Sequence, residues 1–271
     1  MYEPKSYWED LLSRQPDLTG VAHPEMPLSL NRSLYDHMRR EVVRALTRNH
    51  VSVAGADAMD IGSGTGFWMA TWVDLGARAV TGVELTATAT ERLRSNFPNC
   101  TVVQADIGEA ELSVEESYDV VSAMSVLLHI VDPARFQQAL DNLLRLVKPG
   151  GWLLITDPAP RHHWWGKAWE ESDNSVARPL QHWRDDLEGR GFRLADVRPV
   201  SCVLNNVSDT KHRWAFRLHQ RYWYHLGKGL GRFPHVSRLV VSGLAVADTA
   251  LLRLGWSPST KVLVLQRAAE R

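Results

Sequence analysis

Three glycines stand at alternate positions, Gly62, Gly64 and Gly66, directly after an apolar run that contains Asp60. A glycine turn after a strand lets a ligand approach the backbone closely, because no Cβ stands in the way and a positive φ costs little. A dinucleotide-binding loop needs glycine or alanine where Phe67 stands, and no lysine followed by serine or threonine completes a phosphate-cradling loop. The turn therefore fits neither of these two ligand classes.

Carboxylates follow the glycine turn at the ends of two further predicted strands. Glu84 ends "VTGVE" about twenty residues after the glycines, where a carboxylate can accept hydrogen bonds from both hydroxyls of a ribose. Asp106 follows "VVQA", within reach of an adenine amino group, and Asp60 can orient the loop or meet an ammonium group. Together with the turn, these acids predict a ligand that carries an amino acid, a ribose and an adenine.

Alternating strand and helix patterns fill residues 53–158 and must position these groups. The predicted strands are "AGADAMDI", "AVTGVEL", "CTVVQAD", "YDVVSAM" and "GGWLLITD", and the helices between them are "FWMATWVDLG", "TATATERLRSNF" and "DPARFQQALDNLLRLV". Such alternation predicts a parallel sheet with helices on both faces. Ligands of these sheets bind outside the carboxyl ends of the strands, which is where the glycines and acids would lie.

The ordered set resembles the class I S-adenosylmethionine-dependent methyltransferases. The resemblance rests on "DIGSGTG", "GVEL", "QADI" and "YDVVSAMSVLLHIVDP" followed by "LLRLVKPGGWLLITDP", and covers about half the chain. It implies an α/β, Rossmann-like seven-stranded sheet whose last strand, "TKVLVLQR", is antiparallel, with helices on both faces and a helical cap. It also implies S-adenosylmethionine as cofactor, with S-adenosylhomocysteine as product.

Carrying the family pattern onto this chain gives a set of predicted cofactor-binding residues. Met124 and Ser125, after the fourth strand, would line the methionine end through their backbone. The full set is Asp60, Gly62, Ser63, Gly64, Gly66, Glu84, Leu85, Asp106, Ile107, Met124 and Ser125.

Two residues are predicted to serve catalysis. A hydroxyl acceptor needs a base of near-neutral pKa, and histidine is the usual choice. His129, in "SVLLHIVD" after the fourth strand, is that candidate, with a helix-capping role as the alternative. Asp157, which ends "WLLITD", is expected to bind substrate or assist the base. No arrangement of histidines and acids has a spacing typical of a metal site, so no metal is expected.

The parts that flank the core predict a cap and a substrate site. We expect an N-terminal helical cap over residues 1–50, a core over 51–204 with a lid at 158–180, a helical insertion over 205–258 and a final strand over 259–271. The aromatic and basic content of the lid and the insertion suggests four substrate contacts, with a solvated basic helix face as the alternative. These are His163, Trp165, Arg217 and Arg221.

Composition limits the partners and the compartment. With 31 basic and 31 acidic residues the chain has no net charge to favour nucleic acid. The N-terminus does not resemble a signal peptide, and no apolar run is long enough to span a bilayer, so a cytoplasmic location is expected. The protein is expected to be a monomer or homodimer. Cys100 and Cys202 lie far apart in or beside apolar runs and are expected to be packing residues.

These features predict a methyltransferase for a small acceptor, and the basic insertion would suit an acceptor that is partly anionic. O-methylation of a specialised metabolite or of a polysaccharide sugar is the leading hypothesis. C-methylation of an isoprenoid or polyketide, with aromatic residues stabilising a cationic intermediate, is the alternative within the enzyme class. A non-catalytic cofactor-binding module and, less favoured, an RNA methyltransferase stay open.

Overall fold

The structure, a computed structural model, describes residues 2–110, 112, 114, 117–161, 174–256 and 259–269. Its strands, in chain order, are β1 (Asp57–Ile61), β2 (Ala79–Glu84), β3 (Thr101–Gln104), β4 (Tyr118–Met124), β5 (Val147–Asp157), β6 (Phe192–Pro199) and β7 (Lys261–Arg267). Its helices are α1 (Pro4–Arg14), α2 (Leu28–Arg48), α3 (Phe67–Asp74), α4 (Ala87–Asn96), α5 (Pro133–Leu146), α6 (Leu180–Glu188), α7 (Arg213–Arg232) and α8 (Pro234–Arg253), with a 3-10 turn at Leu127–His129.

All seven strands form one sheet in the order β3-β2-β1-β4-β5-β7-β6. Strands β1 to β5 pair in parallel, and β7 runs antiparallel between β5 and β6. The strand order reverses between β1 and β4, so the crevice beyond the carboxyl ends of these two strands is the topological switch point. The predicted fold, including the antiparallel last strand, is confirmed.

Helices cover both faces of the sheet because the strands are apolar on both sides. In β7, Val262 and Val264 belong to the apolar cluster that includes α2 and α3. Their neighbours Leu263 and Leu265 belong to the opposite cluster, which includes α5 and α6. All four side chains are fully buried, as expected for a strand in the middle of a two-sided sheet.

The flanking helices pack on this sandwich. Helix α2 packs against α8, the edge strand β6 and its neighbour β7, while α1 packs against α4. Helices α7 and α8 pack against each other. The division of the chain into caps and core at residues 50, 204 and 258 stays a prediction. Among the described residues, no helix is both long and apolar enough to cross a bilayer.

The sixth strand is shorter than its sequence suggests. The apolar run "FRLADVRPVSCVL" predicts a strand as far as Leu204, but β6 ends at Pro199. Beyond it, Asp248 of α8 accepts hydrogen bonds through Oδ1 from the backbone N–H groups of Cys202, Val203 and Leu204. These N–H groups therefore bond to a carboxylate instead of a neighbouring strand. Cys202 is a free, fully buried thiol, and Cys100 is free and half-buried.

Candidate functional site

A cleft with about 1000 Å³ of space lies over the carboxyl ends of β1 to β4. The segments that follow these four strands form its floor, and α1 and α2 form a wall. Most of the predicted cofactor-binding residues line it, namely Gly62, Ser63, Gly64, Glu84, Leu85, Asp106, Ile107, Met124 and Ser125. The two others, Asp60 and Gly66, adjoin the same turn but are not among the lining residues.

The glycine turn has a backbone that side chains would disrupt. Gly62 has a φ of 69°, and a Cβ there would lie 2.4 Å from Cγ2 of Val126. Gly66 has a φ of 83° at the start of α3, and a Cβ there would meet the ring of Phe97 at 2.4 Å. The turn therefore needs glycine for both conformation and close packing.

Glu84 holds the turn and keeps one acceptor position for a ligand. Its Oε2 accepts a hydrogen bond from the backbone N–H of Gly64 at 2.8 Å. Its Oε1 accepts two from Thr86, from the backbone N–H at 2.9 Å and from Oγ1 at 2.8 Å. A carboxylate has about four acceptor positions. The remaining one, on Oε2, suits one ribose hydroxyl, and a second would have to displace the hydroxyl of Thr86.

Asp60 lies beneath the turn as a buried acid. Its Oδ1 accepts a hydrogen bond from Ser122 Oγ at 2.8 Å. Its Oδ2 has no hydrogen-bond partner among the residues that the structure describes. Burial raises the pKa of Asp60 to about 7. A cationic ligand group nearby would stabilise the ionised form, which fits the ammonium end of an amino acid.

Asp106 is already paired with a residue that the sequence analysis did not identify. One carboxylate oxygen accepts a hydrogen bond from the backbone N–H of Gly108 at 2.8 Å. The other forms a salt bridge with Arg135 of α5, which also lines the cleft. An adenine amino group would share the carboxylate with Arg135. The motif "DPARF" predicts the start of α5, but spacing alone does not show that Arg135 reaches back to β3.

Met124 and Ser125 end β4 at the cleft. Ser125 has a φ of 61°, a left-handed conformation that is uncommon outside glycine. Its backbone N–H donates to the carbonyl of Thr156 at 3.0 Å, and the two hydroxyls lie 3.1 Å apart. These bonds to β5 hold the left-handed residue in place at the edge of the cleft.

The N-terminal helices contribute an aromatic wall that was not predicted as part of the site. Large side chains from these helices and from α3 line the cleft. They are Trp8 and Leu12 of α1, Tyr35 of α2, and Phe67 and Trp68 of α3. The ring of Tyr35 meets that of Phe67 edge-on at 5.0 Å. The apolar side chains of α1 have the helical spacing of a packing face, so their contact with the cleft follows only from the position of α1 over α4.

His129 lines the cleft, and one hydrogen bond defines the tautomer of its neutral ring. Its Nδ1 is 2.8 Å from the carbonyl oxygen of Asn174. Because a carbonyl only accepts, Nδ1 carries the proton, and Nε2 of the neutral ring is an acceptor. Trp8 packs edge-on against the imidazole at 4.9 Å. Burial lowers the pKa of His129, which keeps the ring neutral and able to accept a proton.

Arg178 holds the backbone that carries His129. Its guanidinium donates to the carbonyls of Leu127 at 3.0 Å and Ile130 at 2.6 Å, and stacks over the Phe136 ring at 3.4 Å. Both carbonyls flank the histidine, so Arg178 is a positioning residue. It lies about fifty residues further along the chain and was not predicted from the sequence.

Of the other predicted catalytic and substrate residues, the three that the structure describes are not among those that line the cleft. Asp157 is fully buried, and burial raises its pKa to about 7 although the charge of Arg178 opposes this. Arg217 and Arg221 are exposed on α7. His163 and Trp165 lie outside the described residues. No group of three or more histidine, cysteine or acidic side chains suited to a metal occurs in the described part of the chain.

Comparison with known proteins agrees with this geometry. Residues 58–151 match the family described as a methyltransferase domain. The chain is 33% identical over 114 residues to the ubiquinone biosynthesis O-methyltransferase of Albidiferax ferrireducens, an alignment that covers 40% of this chain and 44% of that protein. The match thus spans less than half the length of this curated relative.

Solved structures share the fold over most of the chain. Magnesium protoporphyrin IX methyltransferase from Synechocystis, solved with bound S-adenosylmethionine, is 13% identical with a TM-score of 0.55, and the match covers 99% of both chains. The cyclase SpnF is 18% identical with a TM-score of 0.55, covering 86% of this chain and 81% of that one. At such identities these matches show the fold alone.

The fold, the glycine turn with its strand-end acids, and the methyltransferase domain together define a nucleoside-binding α/β protein of one class. Residues 58–151 form a methyltransferase domain, and the seven-stranded sheet around them has the fold of the class I S-adenosylmethionine-dependent methyltransferases. S-adenosylmethionine is the cofactor of this class. Among the described residues, one acceptor position on Glu84 and the Oδ2 of Asp60 have no partner, and they fit its ribose and its ammonium group.

Proposed function

We propose that this protein transfers a methyl group from S-adenosylmethionine to a hydroxyl of a small molecule. The observation that carries the proposal is His129, whose Nδ1 is committed to the carbonyl of Asn174 and whose Nε2 is the acceptor in a residue that lines the cleft. A carbon acceptor would have less need of such a base. The curated relative is named an O-methyltransferase, which supports the same choice.

The residues of the chain have separate tasks in this reaction. When bound, S-adenosylmethionine supplies a methyl group on a sulfonium, which a nucleophile can attack directly. Glu84 and Asp60 would hold the cofactor through the groups described above, and α1 would exclude water with Trp8 and Leu12. His129 accepts the proton that the acceptor hydroxyl loses, and Arg178 fixes the backbone that carries it. Orientation of the reacting groups supplies most of the remaining acceleration.

The walls of the cleft favour an acceptor with an apolar body. Tryptophan, tyrosine, phenylalanine and leucine side chains line it from three helices, and such surfaces bind rings and alkyl groups. Of the two acceptor classes that the sequence suggested, a specialised metabolite suits these walls better than a polysaccharide sugar. We also propose a cytoplasmic location, with the protein a monomer or homodimer.

The test is product formation by His129 variants. The protein is incubated with methyl-labelled S-adenosylmethionine and a set of hydroxylated metabolites, and mass spectrometry identifies what gains a methyl group. In His129→Ala we expect turnover to fall by about 10²- to 10⁴-fold, the usual contribution of a general base, with unchanged cofactor affinity. His182→Ala, which removes an exposed histidine from α6, is the matched control.

The pH profile gives an independent check on the base. Because burial lowers the pKa of His129, kcat/KM should rise with pH through a value below 6.5 and be constant at neutral pH. A rise of kcat/KM centred above pH 7 would remove His129 from the mechanism. Turnover in His129→Ala equal to that of the control would do the same.

A cofactor-binding protein without methyl transfer is the second candidate, because the cyclase SpnF has the same fold. It predicts cofactor binding by calorimetry and no methylated product with any acceptor. Products that carry the label on carbon would instead favour the C-methyltransferase alternative.

A further inference from the structure

Helices α7 and α8 form a hairpin whose outer face is unusually apolar for a protein surface. On α8, Leu239 and Val246 are 77% and 72% exposed. They lie seven residues apart on the side of α8 opposite Val241 and Asp248, which are buried. Several large exposed apolar side chains that lie together mark an interaction site. The exposed ones in and directly after α8 are Val236, Leu239, Val240, Val246, Leu254 and Trp256.

The outer side of α7 mixes aromatic and cationic side chains. Trp214, Leu218 and Tyr224 are exposed, and Arg217 and Arg221 stand between them at spacings of three and four residues. The ammonium of Lys228 lies 4.2 Å from the ring centre of Tyr224. The inner side of the helix is different, because Phe216, Trp223 and Leu230 are buried there.

No acid neutralises this surface from within the hairpin. Between Asp209 and Asp248 the sequence has seven lysines and arginines and no aspartate or glutamate, the seven being Lys211, Arg213, Arg217, Arg221, Lys228, Arg232 and Arg238. The two bounding acids face inward. Asp209 pairs with buried Lys261 at 2.9 Å, and Asp248 lies 3.1 Å from buried His37. The neutral total charge of the chain thus conceals a strongly basic, apolar surface.

We propose that this outer face of the α7–α8 hairpin docks the protein on an anionic lipid membrane. Exposed leucine and valine side chains of α8 would enter the boundary between headgroups and acyl chains, and the arginines of α7 would contact lipid phosphates. Tryptophan and tyrosine prefer this boundary, because their rings are apolar and their N–H or O–H groups stay hydrated. The protein then lies on the membrane without crossing it.

Other occupants fit the chemistry less well. A symmetric second copy would place seven cations opposite seven cations, and like charges facing each other across an interface are unfavourable. RNA would satisfy the arginines but would leave the exposed leucine and valine side chains of α8 without a partner. The membrane proposal does not depend on the reaction proposed above, since it concerns a surface outside the cleft.

Flotation with lipid vesicles tests the proposal on the full chain. The protein should float with vesicles of phosphatidylcholine and phosphatidylglycerol, but not with phosphatidylcholine alone, and salt should weaken the binding. Each cation near such a surface strengthens partition severalfold. Arg217→Gln combined with Arg221→Gln should therefore weaken partition by roughly tenfold or more. Leu239→Ser combined with Val246→Ser should weaken it as well.

Two matched controls separate this surface from general effects. Arg145→Gln combined with Arg184→Gln removes the same charge from α5 and α6, which pack on the opposite face of the sheet, and Val73→Ser removes an exposed apolar side chain from α3. Both controls should partition like the unaltered protein. Unchanged cofactor affinity verifies that each variant is folded.

Three results would overturn the proposal. They are failure of the unaltered protein to float with anionic vesicles, equal partition of the hairpin variants and the controls, and a concentration-dependent dimer in solution that Leu239→Ser dissociates. The last result would assign the face to a second copy of the chain. Loss of methyl transfer without loss of flotation would affect only the proposed reaction.

Discussion

At the scale of single residues, the site depends on a few atoms that have no alternative arrangement. Glu84 uses one acceptor position to hold the turn and two for Thr86, and it leaves one for the ligand. His129 has its proton placed on Nδ1 by one carbonyl. In both cases hydrogen bonds with backbone groups determine which atoms of the side chain can still accept a hydrogen bond from a ligand. A change that moves the backbone of the turn should therefore disturb cofactor binding as strongly as a change in a contacting side chain.

Gly62→Ala tests this dependence. A Cβ at this position meets two penalties, a φ of 69° and a contact of 2.4 Å with Val126. Gly150→Ala is a matched control, because Gly150 has a φ of 77° but no atom within 4 Å of a Cβ. We expect Gly150→Ala to lower the free energy of unfolding by about 1–2 kcal/mol and Gly62→Ala by about 2–4 kcal/mol.

Calorimetry and denaturant unfolding measure the two glycine variants. Gly62→Ala should also lose most of its affinity for S-adenosylmethionine, while Gly150→Ala should retain it. Equal losses of stability in the two variants would show that the backbone conformation, and not the contact with Val126, requires glycine. Combining Gly62→Ala with Val126→Ala should restore part of the stability if the contact is responsible.

The sequence identifies the residues of the cleft floor well and those of its walls poorly. The glycines and Glu84 belong to segments that follow consecutive strands, so the topology alone brings them together. Arg135, Trp8 and Arg178 reach the site from elements that are distant in sequence. Helical periodicity shows that such side chains pack inward, but it does not show which cleft they meet.

At the scale of secondary-structure elements, hydrogen bonds in both directions attach α1 to α4. Glu9 accepts hydrogen bonds from the backbone N–H groups of Ala87 at 2.8 Å and Thr88 at 3.0 Å. It thereby caps α4 with a side chain from another helix. Arg92 of α4 donates in return to the carbonyl of Leu12 at 2.6 Å. Because Leu12 lines the cleft, this mutual attachment determines where one wall of the cofactor site stands.

Glu9→Ala should loosen that wall. We expect a loss of about 1 kcal/mol in the free energy of unfolding, the usual cost of removing a cap, and a severalfold weaker affinity for S-adenosylmethionine. Asp10→Ala, on the same helix, removes only a solvent-exposed pair with Arg14 and serves as control. Faster amide hydrogen exchange in α1 of the Glu9 variant would locate the effect. Unaltered cofactor affinity would mean that α1 stays in place without this bond.

The ends of a strand can be predicted from the sequence where the pattern of apolar residues sets them. The prediction is wrong where a distant side chain takes the backbone N–H groups that would continue the strand. Strand β4 was predicted with its observed limits, since both of its faces are buried. The extension of β6 to Leu204 was wrong, because Asp248 takes the N–H groups that would continue the ladder. That carboxylate lies more than forty residues away in sequence, and no local pattern indicates its position.

At the scale of the whole molecule, a buried polar group joins three separate parts of the chain. Asp248 of α8 accepts hydrogen bonds from the segment after β6, and its Oδ2 lies 3.1 Å from Nε2 of His37 on α2. Both side chains are fully buried. The hairpin that we propose to contact membranes is thus attached to the N-terminal helices and to the sheet edge through one carboxylate. Without its charge, all three attachments weaken together.

Asp248→Asn should therefore destabilise the protein in a pH-dependent way. Burial opposes ionisation, but His37 and the N–H groups of Leu204 and Cys202 outweigh it and hold the pKa of Asp248 below its ordinary value. A carboxyl whose pKa is lowered by folding stabilises the protein above its unfolded-state pKa, and this contribution is lost as the pH falls through the folded-state value. The difference in the free energy of unfolding from the unaltered protein should thus be largest near neutral pH, about 3 kcal/mol, and shrink in acid.

Denaturant unfolding over a pH series measures this difference, with Asp185→Asn on the exposed side of α6 as control. A difference that stays constant down to pH 3 would show that the shape of the group, and not its charge, holds these parts together.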